Sequence, residues 1–147
     1  CQFVASCDMA VAGTSARFCT PGVHIGLFCS TPMVALSRNV SRKAAMEMLL
    51  TGDAVDAEAA LDWGLINRVV ADGELDGAVS ELSAKIANKS PLTVKTGKEA
   101  FYRQLEMGLD DAYAYASQVM TENMLAKDAE EGIDAFLEKR PPVWRGE

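Results

Sequence analysis

The chain has 147 residues, 49% of them hydrophobic and 24% charged, with a formal net charge of −7 and a pI of about 4.7. That is enough for one domain and ordinary for a globular protein. The acidic balance argues against nucleic acid as a partner, because phosphate binding needs clustered Lys and Arg; a small anionic ligand needs only a few local cations and stays open.

In chain order, residues 2–7 read as a short apolar helix and 9–12 as a short strand. A turn follows over Gly13-Thr14-Ser15, then a second short strand over 17–19. Residues 20–32 form a loop bent at fixed points by Pro21, Gly22, Gly26 and Pro32. Loops of this kind present sites on a rigid scaffold, although an ordinary strand-to-helix connection has the same composition. Thr31 is placed to cap a helix with Pro32 at its first position, running to about Arg38. Ser41 starts the next helix and Gly52 stops it; Asp56 starts another that ends at Gly64. Residues 65–70 are an apolar run of strand length, rich in β-branched side chains. Helical spacing returns with Leu75, Val79, Leu82 and Ile86, and Ser90-Pro91 opens a further helix. Residues 110–126 predict a long helix with Tyr113, Ala116, Met120 and Met124 on a packing stripe. Asp128 and Glu131 have the spacing of a capping box for a last helix, which Pro141-Pro142 ends.

Cys1, Cys7, Cys19 and Cys29 form no CxxC pair and lie in apolar surroundings. They read as small buried hydrophobes in a reducing compartment, with no metal expected. No run is long enough to span a membrane. Strand signals are confined to the front, and the helical remainder leaves apolar stripes that need an upstream β-rich half or a neighbouring subunit to cover them. The sequence opens on Cys1 without an initiator Met, and a fragment of a longer chain is expected.

Several pieces carry a resemblance. They are Cys1-Gln2 with Cys7-Asp8, the F-x-x-P-x-x-x-x-G segment from Phe18 to Gly26, and Ala45-Met46-Glu47-Met48-Leu49-Leu50-Thr51-Gly52. Ala57-x-x-Ala60 with Trp63-Gly64-Leu65-Ile66 follows, and then residues 131–140, EGIDAFLEKR. In this order and spacing they resemble the C-terminal half of the enoyl-CoA hydratase/isomerase (crotonase) superfamily, in a hydratase-like branch that lacks both catalytic glutamates. The resemblance implies an α/β fold, a ββα spiral whose end lies in residues 1–70 with the active-site loop at 20–32. Residues 71–147 would be the helical region for trimerisation and coenzyme A contact.

The resemblance also implies chemistry. Family members stabilise an enolate-like oxyanion with two backbone N–H groups, both upstream of Cys1, and the helix aimed at that oxyanion would start near Cys1-Gln2. The two hydratase glutamates fall at Gln2 and Gly22. Gln2 cannot ionise and Gly22 has no side chain, so ordinary hydration, which needs one group to take a proton and another to deliver one, is not expected. His24, the single histidine, lies two residues past Gly22 and is a candidate acid/base, with a structural hydrogen bond as the alternative. Ser30 falls where some isomerases place a carboxylate, but a loop hydrogen bond is the expected role, and packing is expected of Cys29. A positive φ at Gly22 would strain any side chain placed there. Phe136 and Lys139 match the residues that meet the CoA adenine and phosphate, and their spacing puts them on one helix face.

The expected function is thus an acyl-CoA-binding protein acting on a thioester through an oxyanion. The alternatives are a non-catalytic acyl-CoA-binding or assembly protein, and a true hydratase using residues outside this chain. Coenzyme A enters as substrate with no permanently bound cofactor. The expected assembly is a homotrimer or dimer of trimers, without nucleic acid or membrane, in bacterial cytoplasm or the mitochondrial matrix of a eukaryote.

Overall fold

The structure, a computed structural model, describes residues 1–147. Its contacts divide it into two compact units, Cys1–Glu81 and Leu82–Glu147, with the division inside a helix. The first unit contains α1 (Gln2–Ala5), β1 (Val11–Gly13), β2 (Arg17–Phe18) and a 3₁₀ turn over Pro21–Ile25. It continues with α2 (Ser30–Asn39), α3 (Arg42–Thr51), β3 (Val55–Asp56), α4 (Ala57–Asp62) and β4 (Arg68–Val70). α5 (Leu75–Ala87) begins in the first unit and ends in the second, which holds α6 (Pro91–Gln104), α7 (Leu109–Met124) and α8 (Lys127–Glu138).

β1 and β4 pair in parallel, with Val11 opposite Arg68 and Gly13 opposite Val70; β2 and β3 pair antiparallel. The strand expected over 65–70 is shorter than its apolar run. β1 supplies only three residues, and Asn67 closes the ladder below them. Its backbone N–H donates to the Ala10 carbonyl at 2.8 Å, and its side-chain Oδ1 accepts from the Ala10 N–H at 2.8 Å. Leu65 and Ile66 are instead buried in the core built around Leu36 and Met48.

Local signals set the starts of three helices. The side chains of Ser41, Asp56 and Ser90 accept from the N–H groups of Ala44, Ala59 and Thr93 at 3.3, 2.9 and 3.1 Å. Each satisfies one donor that the helix itself leaves open. α2 differs from expectation. It starts at Ser30 with Cys29 as its cap and no side-chain capping bond, so Thr31 caps nothing and Pro32 is the third helical residue. Proline is accommodated there because a first-turn N–H has no partner within the helix.

The second unit bears on three expectations. On α7 the residues turned toward the chain are Ala112, Tyr115, Val119 and Asn123, whereas Tyr113, Ala116, Met120 and Met124 are exposed. Asp128 and Glu131 form no capping box: α8 has Ala126 as its N-cap, and both carboxylates bind the C-terminal strap, residues 139–147. Prolines do not stop α8 either. It ends at Glu138, with Lys139 in the left-handed conformation before Pro141 is reached. The cysteines are all free; Cys7 is exposed and the others are half-buried, so none is the fully buried hydrophobe expected.

Candidate functional site

Thr20 opens the loop that the sequence singles out. It is buried, and its Oγ1 donates to the Met48 carbonyl at 2.8 Å. The next residues wind into the 3₁₀ turn, with Pro21 at its start and Gly26 at φ +78° at its end. The turn packs on α3. His24 Nε2 lies 2.9 Å from the Thr51 carbonyl, and since a carbonyl only accepts, the ring's proton is on Nε2 in that contact. His24 thereby joins Thr20 in satisfying carbonyls at the C-terminal end of α3.

Gly22 is the tightest point of the loop. Its N–H donates to Cys29 Sγ at 3.3 Å. A Cβ built on Gly22 would lie 2.7 Å from the Leu27 carbonyl oxygen and 2.8 Å from Cys29 Sγ. The Leu27 N–H in turn donates to the Gly22 carbonyl at 2.9 Å, which pins that oxygen close. The requirement for glycine is therefore steric. Gly22 is not among the residues of positive φ, so left-handed strain adds nothing to that requirement. Cys29 packs against the core, as expected, and its sulfur also closes the loop on Gly22. Its position seven residues from Gly22 gives no local signal, because only the return of the loop brings the sulfur back. Ser30 Oγ lies 3.3 Å from the Phe28 carbonyl, a bond within the loop.

Gln2 stands on another element, the single turn of α1, which packs on α2. Its side chain is exposed, and its carbonyl receives the Ser6 N–H at 3.0 Å and the Ser6 hydroxyl at 2.9 Å. Gly22 and His24 thus share one turn, and Gln2 comes from a separate one.

Phe136 and Lys139 belong to the second unit. Phe136 is 82% exposed on α8 and borders a largely apolar groove of about 720 Å³, with Val94, Ile133, Leu137 and Trp144 in its walls. Lys139 is exposed but lies past the helix, at φ +56° and ψ +39°. The helix face expected from their spacing stops short of Lys139, because α8 ends at Glu138 and Lys139 itself turns left-handed.

Two carboxylates of α8, Asp128 in its first turn and Glu131 one turn on, are held by the strap. Asp128, buried, accepts from the Ser90 hydroxyl at 2.6 Å and from the Arg145 and Gly146 N–H groups at 2.8 and 3.0 Å. Those bonds, the Ser90 hydroxyl first, hold its pKa below the ordinary carboxylate value. Glu131 takes a two-pronged bond from the Arg140 guanidinium, at 2.6 and 2.9 Å, and the Val143 N–H at 2.7 Å. Arg140 foremost, then Val143, pulls the Glu131 pKa down to about 2, and the same contact raises that of Arg140. The Trp144 indole N–H donates to the Asn88 carbonyl at 2.9 Å and seats the strap.

Known proteins match this chain along its whole length. A family model described as Enoyl-CoA hydratase/isomerase matches residues 1–147. The mitochondrial enoyl-CoA hydratase domain-containing protein 3 of Rattus norvegicus is 52% identical over 144 residues, 98% of this chain and 48% of the relative. The crystal structure of an enoyl-CoA hydratase from Mycobacterium smegmatis superposes with a TM-score of 0.95 at 53% identity, over 97% of this chain and 56% of that one. The crystal structure of human enoyl Coenzyme A hydratase domain-containing protein 3 gives 0.94 at 51% identity, over 97% and 56%. The chain spans about half the length of the curated relatives it matches.

Proposed function

Because this chain belongs to the enoyl-CoA hydratase/isomerase family and has its α/β crotonase fold, we propose that the protein acts on an acyl-CoA thioester through an oxyanion-stabilised intermediate and is not an ordinary hydratase. The observation that carries this reading is the closed loop at Gly22. By resemblance, Gly22 and Gln2 stand where hydratases carry their glutamates. A carboxylate at Gly22 has no room, since its first carbon would meet a backbone oxygen at 2.7 Å. Gln2 can hold a water but cannot exchange a proton at neutral pH. Isomerisation, decarboxylation and thioester hydrolysis remain compatible, as each passes through a stabilised oxyanion.

Full-length protein assayed on crotonyl-CoA tests this directly. A positioned acid or base contributes about 10²–10⁴-fold, so hydration is expected to fall far below ordinary enzymatic turnover. Turnover at a typical enzymatic rate would overturn the reading. A panel of acyl-CoA thioesters, with products identified by mass spectrometry, then distinguishes the remaining reactions from simple binding.

Phe136 and Lys139 supply the proposed coenzyme contact, the ring for the adenine and the ammonium for a phosphate. Their exposure supports it, because both groups are accessible. A trimer or dimer of trimers is proposed from the exposed apolar faces of α7 and α8. A non-catalytic acyl-CoA-binding role is the second reading, favoured by the vacancy at Gly22 if no thioester is turned over. The matched vertebrate proteins are named as mitochondrial, so the matrix is the proposed compartment in a eukaryotic host and the cytoplasm in a bacterium.

A further inference from the structure

Lys139 is the one non-glycine residue of the chain with a positive φ. Its N–H donates to the Phe136 carbonyl at 3.3 Å and the Arg140 N–H to the Ala135 carbonyl at 3.0 Å, the paired bonds of a Schellman motif. Helices that end this way usually carry glycine at that position, because a Cβ there crowds the following carbonyl oxygen. The negative end of the helix dipole favours a cation nearby, but that preference is indifferent to φ. A costly conformation at a side-chain-bearing residue persists where its surroundings over-determine it, and such residues cluster at functional sites.

The surroundings do over-determine it. Arg140, the next residue, is clamped by the fork to Glu131, and its Nε donates to Glu138 Oε2 at 2.5 Å. Glu131 also takes the Val143 N–H, so one carboxylate ties down the chain at two points just past Lys139. Both acidic residues nearest in this network are thereby occupied by Arg140.

We propose that Glu131 is a positioning residue for Lys139: through Arg140 and Val143 it holds the left-handed turn that aims the Lys139 ammonium at the anionic end of the coenzyme. The proposal rests on the reading of Lys139 as a coenzyme contact. It adds that the strap geometry sets the strength of that contact, with Glu131 touching no ligand itself.

The test uses full-length protein and butyryl-CoA, which has no double bond to hydrate. Lys139→Gly is expected to raise the melting temperature while weakening butyryl-CoA about two- to fivefold at low salt, with a flatter salt dependence. Glu131→Gln keeps an acceptor for Val143 but loses the ion pair, and is expected to weaken binding and flatten the salt dependence in the same way. In the Lys139→Gly background Glu131→Gln is expected to add nothing, since it acts through the missing ammonium. Arg140→Gln breaks the same fork from the other side and repeats the cycle if Glu131→Gln folds poorly. Equal weakening in both backgrounds would overturn the proposal, as would an unchanged affinity in Glu131→Gln beside a loss in Lys139→Gly; the second result leaves the coenzyme contact standing. An unchanged affinity in Lys139→Gly takes down both readings.

Discussion

At Gly22 the Cβ of any other residue would meet the Leu27 carbonyl oxygen and the Cys29 sulfur, whereas at Gly26 nothing lies within 4 Å and only the φ of +78° restricts the residue. The two positions therefore respond differently to substitution. Gly22→Ala is expected to cost about 1–3 kcal/mol through overpacking against backbone, with Gly22→Asn no better. Gly26→Ala is expected to cost about 1 kcal/mol, and Gly26→Asn less, because Asn tolerates the left-handed region. Thermal unfolding of the four variants checks this ordering. Glu131 gives a prediction in pH. Its pKa falls from 4.5 to about 2 on folding, chiefly through Arg140. A carboxylate depressed in the native state stabilises it above the unfolded pKa and loses that contribution as pH falls through the folded one. The stability advantage of wild type over Glu131→Gln is thus expected to be constant above about pH 4.5 and to disappear toward pH 2. Melting temperatures of both proteins across that range read it out. An advantage that grew on acidification would refute the assignment.

Among the elements, α6 and α8 are tied by a single hydroxyl. Ser90 caps α6 through the Thr93 N–H and donates to Asp128 in the first turn of α8. Ser90→Ala removes both bonds. The cap alone is worth about 1 kcal/mol, and Asp128 would keep only its two strap N–H donors. The loss of stability is expected to exceed that of a cap with no second partner, such as Ser41→Ala. Denaturant unfolding of the two variants, compared at constant slope, measures the difference.

In the molecule as a whole, apolar side chains face outward in both units. Phe3, Ile25 and Leu27 are exposed in the first, and Leu109, Tyr113, Met120, Phe136 and Leu137 in the second. Ala135 is the only apolar residue of the second unit that is buried. Faces of this kind mark surfaces that another part of the protein or another subunit covers. Full-length protein is accordingly expected to sediment and scatter as a trimer or a multiple of one. A stable monomer at micromolar concentration would count against the proposed assembly. Charged substitutions on the exposed stripe, Tyr113→Glu or Met120→Glu, are expected to weaken association with little effect on the α7 contacts made by Tyr115 and Val119.

The sequence by itself determined the features whose partners lie within one turn of chain. Ser41, Asp56 and Ser90 cap helices because the N–H groups they accept from are three residues away, and Gly52 and Gly64 stop them because the left-handed residue is local. The ordered motifs from Cys1 to Arg140 likewise carried the family in the residues alone. Tertiary structure decided what depends on where the chain returns. Both stripes of α7 contain apolar side chains, so periodicity could not choose between Tyr113 and Tyr115. Asp128 and Glu131 have capping-box spacing, yet the strap offers them N–H and guanidinium donors that outcompete the helix end, and those donors lie nine to eighteen residues away. The closure at Gly22 was hidden although Leu27 and Cys29 lie only five and seven residues on, because only the return of the loop brings them back. No glycine marks the left-handed turn at Lys139. A carboxylate, a sulfur or a backbone oxygen satisfies whichever donor folding delivers, and only the folded chain specifies which one arrives.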